Sequence, residues 1–120
     1  MRSSGVSIVN LSARDRHVQL NQMKPRDEWA EWLLHRRHGG DPEALRRTLA
    51  WLYPIRDRVL ANAHLGVGDI VLDVGCGDGL IAFGALDKVG PSGRVVFSDI
   101  SQDLLDHSRA LAEQIGVAGR

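Results

Sequence analysis

Val71-Leu72-Asp73-Val74-Gly75-Cys76-Gly77-Asp78-Gly79 runs from a short apolar segment directly into alternating glycines. With Ile70 it reads as a β-branched strand of the kind that is buried on both faces. Gly75 permits a sharp turn, Gly77 lets a ligand approach the backbone, and Gly79 lets the following helix pack close to the strand. A strand that opens through glycines into a helix also gathers backbone N–H groups and a helix N-terminus at one spot. The helix is expected from Leu80 to Val89 and ends at the turn Gly90-Pro91-Ser92-Gly93. Arg94 to Ser98 is a second strand, closed by Asp99. Ser101 then caps a helix whose inward-facing positions are Leu104, Leu105, Ser108, Leu111, Ala112 and Ile115, and Gly116 stops it. The order β-α-β-α with short connections requires parallel strands and right-handed crossovers, so the fold class is α/β.

Asp99 follows Gly77 by 22 residues, at the end of the second strand. A carboxylate in that place can accept hydrogen bonds from the two hydroxyls of a ribose. Loop and strand-end acid support each other, where a glycine loop alone would be weak evidence. A dinucleotide fingerprint, G-x-G-x-x-G/A, ends on a small residue; here that position is Leu80, and the glycines run G-x-G-x-G. Asp73 stands two residues before the first glycine. It would repel a pyrophosphate but welcome an ammonium group. A P-loop is excluded because no Gly-Lys-Ser/Thr follows. Asp78 either contacts the ligand or simply favours the helix N-terminus. Asp73 and Asp99 are the foremost candidates, since carboxylates buried at strand ends need a partner.

Upstream, residues 1–24 are polar apart from Val6, Ile8, Val9 and Leu11, and are expected to form a loosely ordered arm. Residues 25–65 form a helical segment. Arg26 to Arg37 has helical spacing with Trp29, Trp32 and Leu33 on one face, and Gly39-Gly40 ends it. Asp41-Pro42 starts a second helix, Asp as cap and Pro at the first position. Its stripe Leu45, Leu49, Leu52, Ile55 and Val59 runs to about Asn62, with Pro54 expected to kink or split it. Residues 66–120 form the α/β unit.

The 120 residues carry zero formal net charge, which gives no reason to expect nucleic acid as a partner. Residues 1–60 have an excess of four positive charges and residues 61–120 of four negative, so a basic arm docking on the acidic half is the simplest reading. Cys76, the single cysteine, rules out an intrachain disulfide or a cysteine-based zinc site, and is read as packing rather than as a nucleophile. His35 and His38 share a helix face, but nothing completes a metal site; they, with His17, His64 and His107, are read as solvated surface. Trp29 and Trp32 are read as core in preference to a substrate lid, and Arg56 and Tyr53 as a surface ion pair and a packed ring as readily as contacts to a cofactor carboxylate. No stretch approaches the roughly 18 apolar residues of a membrane span, and no apolar signal segment opens the chain. We therefore expect a cytoplasmic protein with no membrane partner.

The full D-x-G-x-G-x-G pattern of Asp73 to Gly79, with Val89 to Val95 and Asp99-Ile100-Ser101, resembles class I S-adenosylmethionine-dependent methyltransferases, closest to the group with ubiquinone-biosynthesis and small-molecule enzymes. The likeness covers residues 66–118. It implies the N-terminal, cofactor-binding portion of a Rossmann-like methyltransferase fold, a helical arm followed by β-α-β-α. By that likeness Gly75, Cys76, Gly77 and Gly79 form the S-adenosylmethionine loop, with Gly75 and Gly77 at the methionine portion. Asp73 would meet the amino group, Asp99 the ribose hydroxyls, and Ile100 the adenine. Methyl transfer would be an in-line displacement, for which no catalytic base is obligatory and none is assigned. The family's sheet is wider, with the first strand interior, so the sheet here is expected to be incomplete and the chain to be part of a longer domain, inactive alone. An unpaired apolar edge on the first strand would then invite a partner chain or a second copy. Two alternatives stand beside this: a non-catalytic S-adenosylmethionine-binding fragment that needs a partner chain, and an NAD(P)-binding oxidoreductase fragment, against which Asp73 and Leu80 argue. No residue here selects the methyl acceptor.

Overall fold

The computed structural model describes residues 27–120, so the arm expected over 1–24 lies outside the described residues. Helix α1 (Glu28–Glu31) continues into a five-residue π-helical turn (Trp32–Arg36), followed by α2 (Pro42–Asn62), β1 (Ile70–Val74), α3 (Leu80–Val89), β2 (Arg94–Ser98) and α4 (Gln102–Gln114). The strands pair in parallel, Ile70 opposite Arg94 through Val74 opposite Ser98. Among the described residues they are the whole sheet. Both strands, the helix between them and the helix after them fall where the sequence places them.

The core lies on one face of this sheet. Val71 and Val95 point toward α3, where Ala82, Ala85, Leu86 and Val89 are buried together with Cys76 and Leu60. Phe83 and Phe97 meet edge to face, centroids 4.9 Å apart, and tie α3 to β2. A second, smaller cluster joins Ala30 and Leu33 to Leu104 of α4.

Four expectations change. β1 is not buried on both faces: Ile70, Leu72 and Val74 are exposed, because the described helices cover only the opposite face. Pro54 does not split α2, which runs unbroken over 21 residues. Pro54 and Ala50 both face solvent, so water can satisfy the carbonyl that the missing N–H leaves free. The stripe Leu45, Ile55 and Val59 is also exposed. The helix docks instead through Leu60 and Arg56, which lie against Gly84 of α3. Finally, the first helix does not stay α-helical. Arg37 N–H reaches back five residues to the Trp32 carbonyl at 2.7 Å, opening the turn that follows α1.

Gly79 has φ +89°, and a Cβ there would stand 2.6 Å from the Phe83 ring and 3.0 Å from Phe97. Its role is to let α3 begin directly on the aromatic pair. Gly79→Ala is expected to destabilise the chain by about 2–4 kcal/mol, combining left-handed backbone strain with overpacking; denaturant titration measures it.

Candidate functional site

The parallel register places the two acids. Asp73 is opposite Phe97, and Asp99 comes two residues after Phe97. Strand side chains alternate with a period of two, so Asp99 emerges on the same side as Asp73, just past the strand end. The charge of Asp99 is felt at Asp73.

The glycine turn is clasped by the end of β2. Gly75 N–H and Cys76 N–H both donate to the Ser98 carbonyl, at 2.7 and 3.0 Å. Gly77 N–H donates to Asp99 Oδ2 at 2.9 Å, and Ser101 N–H to Asp99 Oδ1 at 2.8 Å. Gly79 N–H closes on the Cys76 carbonyl at 2.9 Å. This revises the expectation that the turn presents its N–H groups to a ligand: those of Gly75, Cys76, Gly77 and Gly79 are engaged by the fold. Space remains above Gly75, whose φ is +75° and where a Cβ would meet nothing within 4 Å.

Asp73 is less comfortable. Its Oδ2 is sealed from solvent without a hydrogen-bond partner. Burial raises its pKa above the usual carboxylate value; the Ala82 backbone N–H opposes the rise and the Asp99 charge adds to it. A buried acceptor beside a second carboxylate is a place prepared for a cationic donor. Asp99, with each oxygen holding one backbone N–H, retains further lone pairs for hydroxyl groups. Ile100 is fully exposed beside it. Cys76 is buried beneath the turn, and burial, with the charges of Asp73 and Asp99, pushes its thiol up, so the thiol stays protonated at neutral pH.

Around the turn the structure brings in residues the sequence did not join to it. Leu33 is buried, its Cδ2 3.4 Å from where a Cβ on Gly77 would stand, so the π-helical turn lies across the glycines. Trp29 and Trp32 are not core: they stack on each other at 5.3 Å and remain exposed. The buried face of this segment is Ala30 and Leu33 instead. Arg56 lies 4.5 Å over the Tyr53 ring and pairs with Asp57 at 2.7 Å. No cluster of ligands suited to a metal ion occurs among the described residues, and none of their helices is long and apolar enough to cross a membrane.

His107 departs from the expected solvated histidine. It is half-buried on α4, and burial holds its pKa below 6.5; the Asp78 charge works against this and His35 reinforces it. His35 on the π-helical turn, Asp78 in the glycine turn and His107 on α4 are thus electrostatic neighbours. Ser101 was legible as a helix cap, but the capping role of Asp27 and its contact with Ser101 across 74 residues were not.

A parallel β-α-β-α unit whose glycine turn is clasped by the end of the second strand, with a carboxylate at each strand end, is a Rossmann-like α/β unit. Residues 71–119 match the family described as methyltransferase domain. The chain is 38% identical over 64 residues to nocamycin O-methyltransferase of Saccharothrix syringae, covering 53% of this chain and 23% of that one. It is 41% identical over 63 residues to the probable cobalt-precorrin-6B C(15)-methyltransferase (decarboxylating) of Saccharolobus solfataricus, covering 52% and 32% respectively. The matches thus span less than a third of these relatives' lengths. No solved structure matches significantly.

His107 gives a pH signature. Folding favours its neutral form, so as pH falls below about 6.5 the unfolded chain takes up the proton first and stability drops, until the lower folded-state value is reached. Asp73 works in the opposite direction at more acidic pH, since its folded-state value is raised. The denaturation midpoint is expected to fall between about pH 7 and 5.5, and to fall less in His107→Gln, as urea titrations across that range will show.

Proposed function

We propose that the glycine turn holds S-adenosylmethionine for methyl transfer to an acceptor, with the acceptor site outside residues 27–120. The observation that carries this reading is Asp73 Oδ2: buried, without a partner, and next to Asp99. The methionine ammonium of S-adenosylmethionine answers both defects at once, donating the missing hydrogen bond and neutralising the paired negative charge.

When bound, S-adenosylmethionine supplies an activated sulfonium methyl. The chain's own residues hold and orient it. Asp73 receives the ammonium, directly or through a water. The open backbone at Gly75, beside Gly77, admits the methionine portion. Asp99 accepts from the ribose hydroxyls with its remaining lone pairs, and Ile100 offers an apolar surface to the adenine. Cys76 and Gly79 serve packing under the turn. Positioning for an in-line displacement requires no general base from these residues.

The dinucleotide alternative is disfavoured by the turn itself. A pyrophosphate needs free backbone N–H groups, and the N–H groups of Gly75, Cys76, Gly77 and Gly79 are already engaged. Asp73 would add repulsion. A binding unit that turns over no substrate on its own remains part of the proposal. Ile70, Leu72 and Val74 lie exposed on the strand that carries Asp73, and the chain corresponds to a minor share of its relatives' length.

Calorimetry with S-adenosylmethionine, S-adenosylhomocysteine and NAD tests the reading. The first two are expected to bind and NAD is not; binding of NAD alone would overturn it. Asp73→Asn separates function from stability. It is expected to weaken S-adenosylmethionine binding at least about tenfold, while the ligand-free variant melts no lower than the parent because a buried repulsive charge is gone. Methyl transfer by the purified 120-residue chain to any acceptor would refute the claim that the acceptor site lies elsewhere.

A further inference from the structure

The glycine turn and the N-terminal segment are joined by one continuous path of hydrogen bonds. Gly77 N–H donates to Asp99, and Ser101 N–H donates to the other oxygen of the same carboxylate. Ser101 Oγ–H in turn donates to Asp27 Oδ2 at 2.6 Å, while Asp27 Oδ1 accepts from Ala30 N–H at 2.6 Å. Each of these two side chains is also the N-cap of a helix: Asp27 of α1, and Ser101 of α4 through Leu104 N–H at 3.2 Å. Asp27 N–H donates to Asp103 Oδ2 at 3.0 Å, so the two helix starts hold each other from both sides. Ser101 is only 6% exposed, which shields this junction from water and strengthens it.

We infer that Asp27 is a positioning residue for the cofactor site: through Ser101 it fastens residues 28–36 as a cover across the glycine turn. Beneath that cover, Ala30 and Leu33 are buried against Leu104, and Leu33 reaches Gly77. Ser101 is separated from the ribose-facing Asp99 by a single residue. A ligand that engages Asp99 therefore bears on the same junction that holds the cover. Coupling of this kind is reciprocal: fastening the cover favours the ligand, and the ligand slows release of the cover. The inference rests on the S-adenosylmethionine reading of Asp73 and Asp99.

Side-chain chemistry allows the fastening to be separated from helix capping. Asp27→Ser keeps an oxygen for Ala30 N–H but has no second oxygen to accept from the Ser101 hydroxyl. Ser101→Ala removes both the donor and the α4 cap, whereas Ser101→Thr keeps the hydroxyl. Amide hydrogen exchange in the 120-residue chain reads the cover directly, without ligand. Exchange over 28–36 is expected to speed up about tenfold in Asp27→Ser and in Ser101→Ala, and to stay near the parent in Ser101→Thr. The double variant Asp27→Ser/Ser101→Ala is expected to release the cover no further than Ser101→Ala does. S-adenosylhomocysteine affinity, measured by calorimetry, should fall about three- to tenfold wherever the cover is released and recover in Ser101→Thr, with exchange in α3 and β2 unchanged. Unchanged exchange over 28–36 in Asp27→Ser overturns the inference, and so does a released cover with undiminished affinity. A parent chain that releases its cover on mutation but binds no S-adenosylhomocysteine refutes the cofactor reading and takes the positioning role down with it; that result is distinct from the other two.

Discussion

Three successive amides of the glycine turn are drawn onto Ser98, the last residue of β2, and Asp99, which follows it, and the site depends on that clasp. Gly75 and Cys76 share the Ser98 carbonyl, and Gly77 takes Asp99. Without it the turn would be a run of glycines with large backbone freedom. With it, the ends of two parallel strands become one rigid rim, from which α3 departs on the Phe83–Phe97 contact and α4 departs at Ser101. Asp99 is the corner of this rim, because its second oxygen continues the network to the start of α4. The same engagement decides what the rim can recognise. With these N–H groups occupied, selectivity passes to carboxylates and to open space above Gly75, an arrangement suited to a cationic, hydroxyl-bearing ligand rather than to a phosphate.

Asp73 illustrates how such a rim holds unfavourable chemistry in place. A sealed carboxylate oxygen without a hydrogen bond costs free energy on the order of a few kcal/mol, and the neighbouring Asp99 adds to it. The β1 backbone leaves it no alternative: the pairing of Asp73 with Phe97 fixes which face it occupies. Ala82, Ala85, Leu86, Val89 and Val95 are buried together in the core cluster of the same unit.

The α/β portion was legible because its signals are local. Strand, glycine turn, helix, Gly90–Gly93 turn and second strand each carry their own residues for the job, and the Asp73/Asp99 pair follows from period-two alternation once the strands are parallel. What escaped the sequence was tertiary. Helical spacing alone cannot say which stripe of a helix finds a neighbour, so Leu45, Ile55 and Val59 looked buried and Arg56 and Leu60 did not. Trp29 and Trp32 were assigned to the core by hydrophobicity, but Ala30 and Leu33, smaller and able to approach Leu104 and Gly77, took that face. The exposed face of β1 escaped for a different reason: an apolar strand declares that both faces suit burial, not that both are covered within residues 27–120. The Asp27–Ser101 contact joins residues 74 positions apart and has no local pattern at all.

The π-helical turn at Trp32–Arg36 holds one residue more than an α-helix of the same path would need. In the reading frame of a gene, that is a surplus codon. Losing it would restore the ordinary ladder along the same path and re-aim only the side chains inside the turn, while Asp27 and Ala30, upstream of the surplus, would keep their places at the junction with Ser101. His35, inside the turn, would take a new aspect, and the residues leading to Gly39 would keep theirs. Length variation at this one turn is thus a way for descendants of the sequence to re-aim a few side chains of the cover and leave its two ends and the clasped glycine turn as they are.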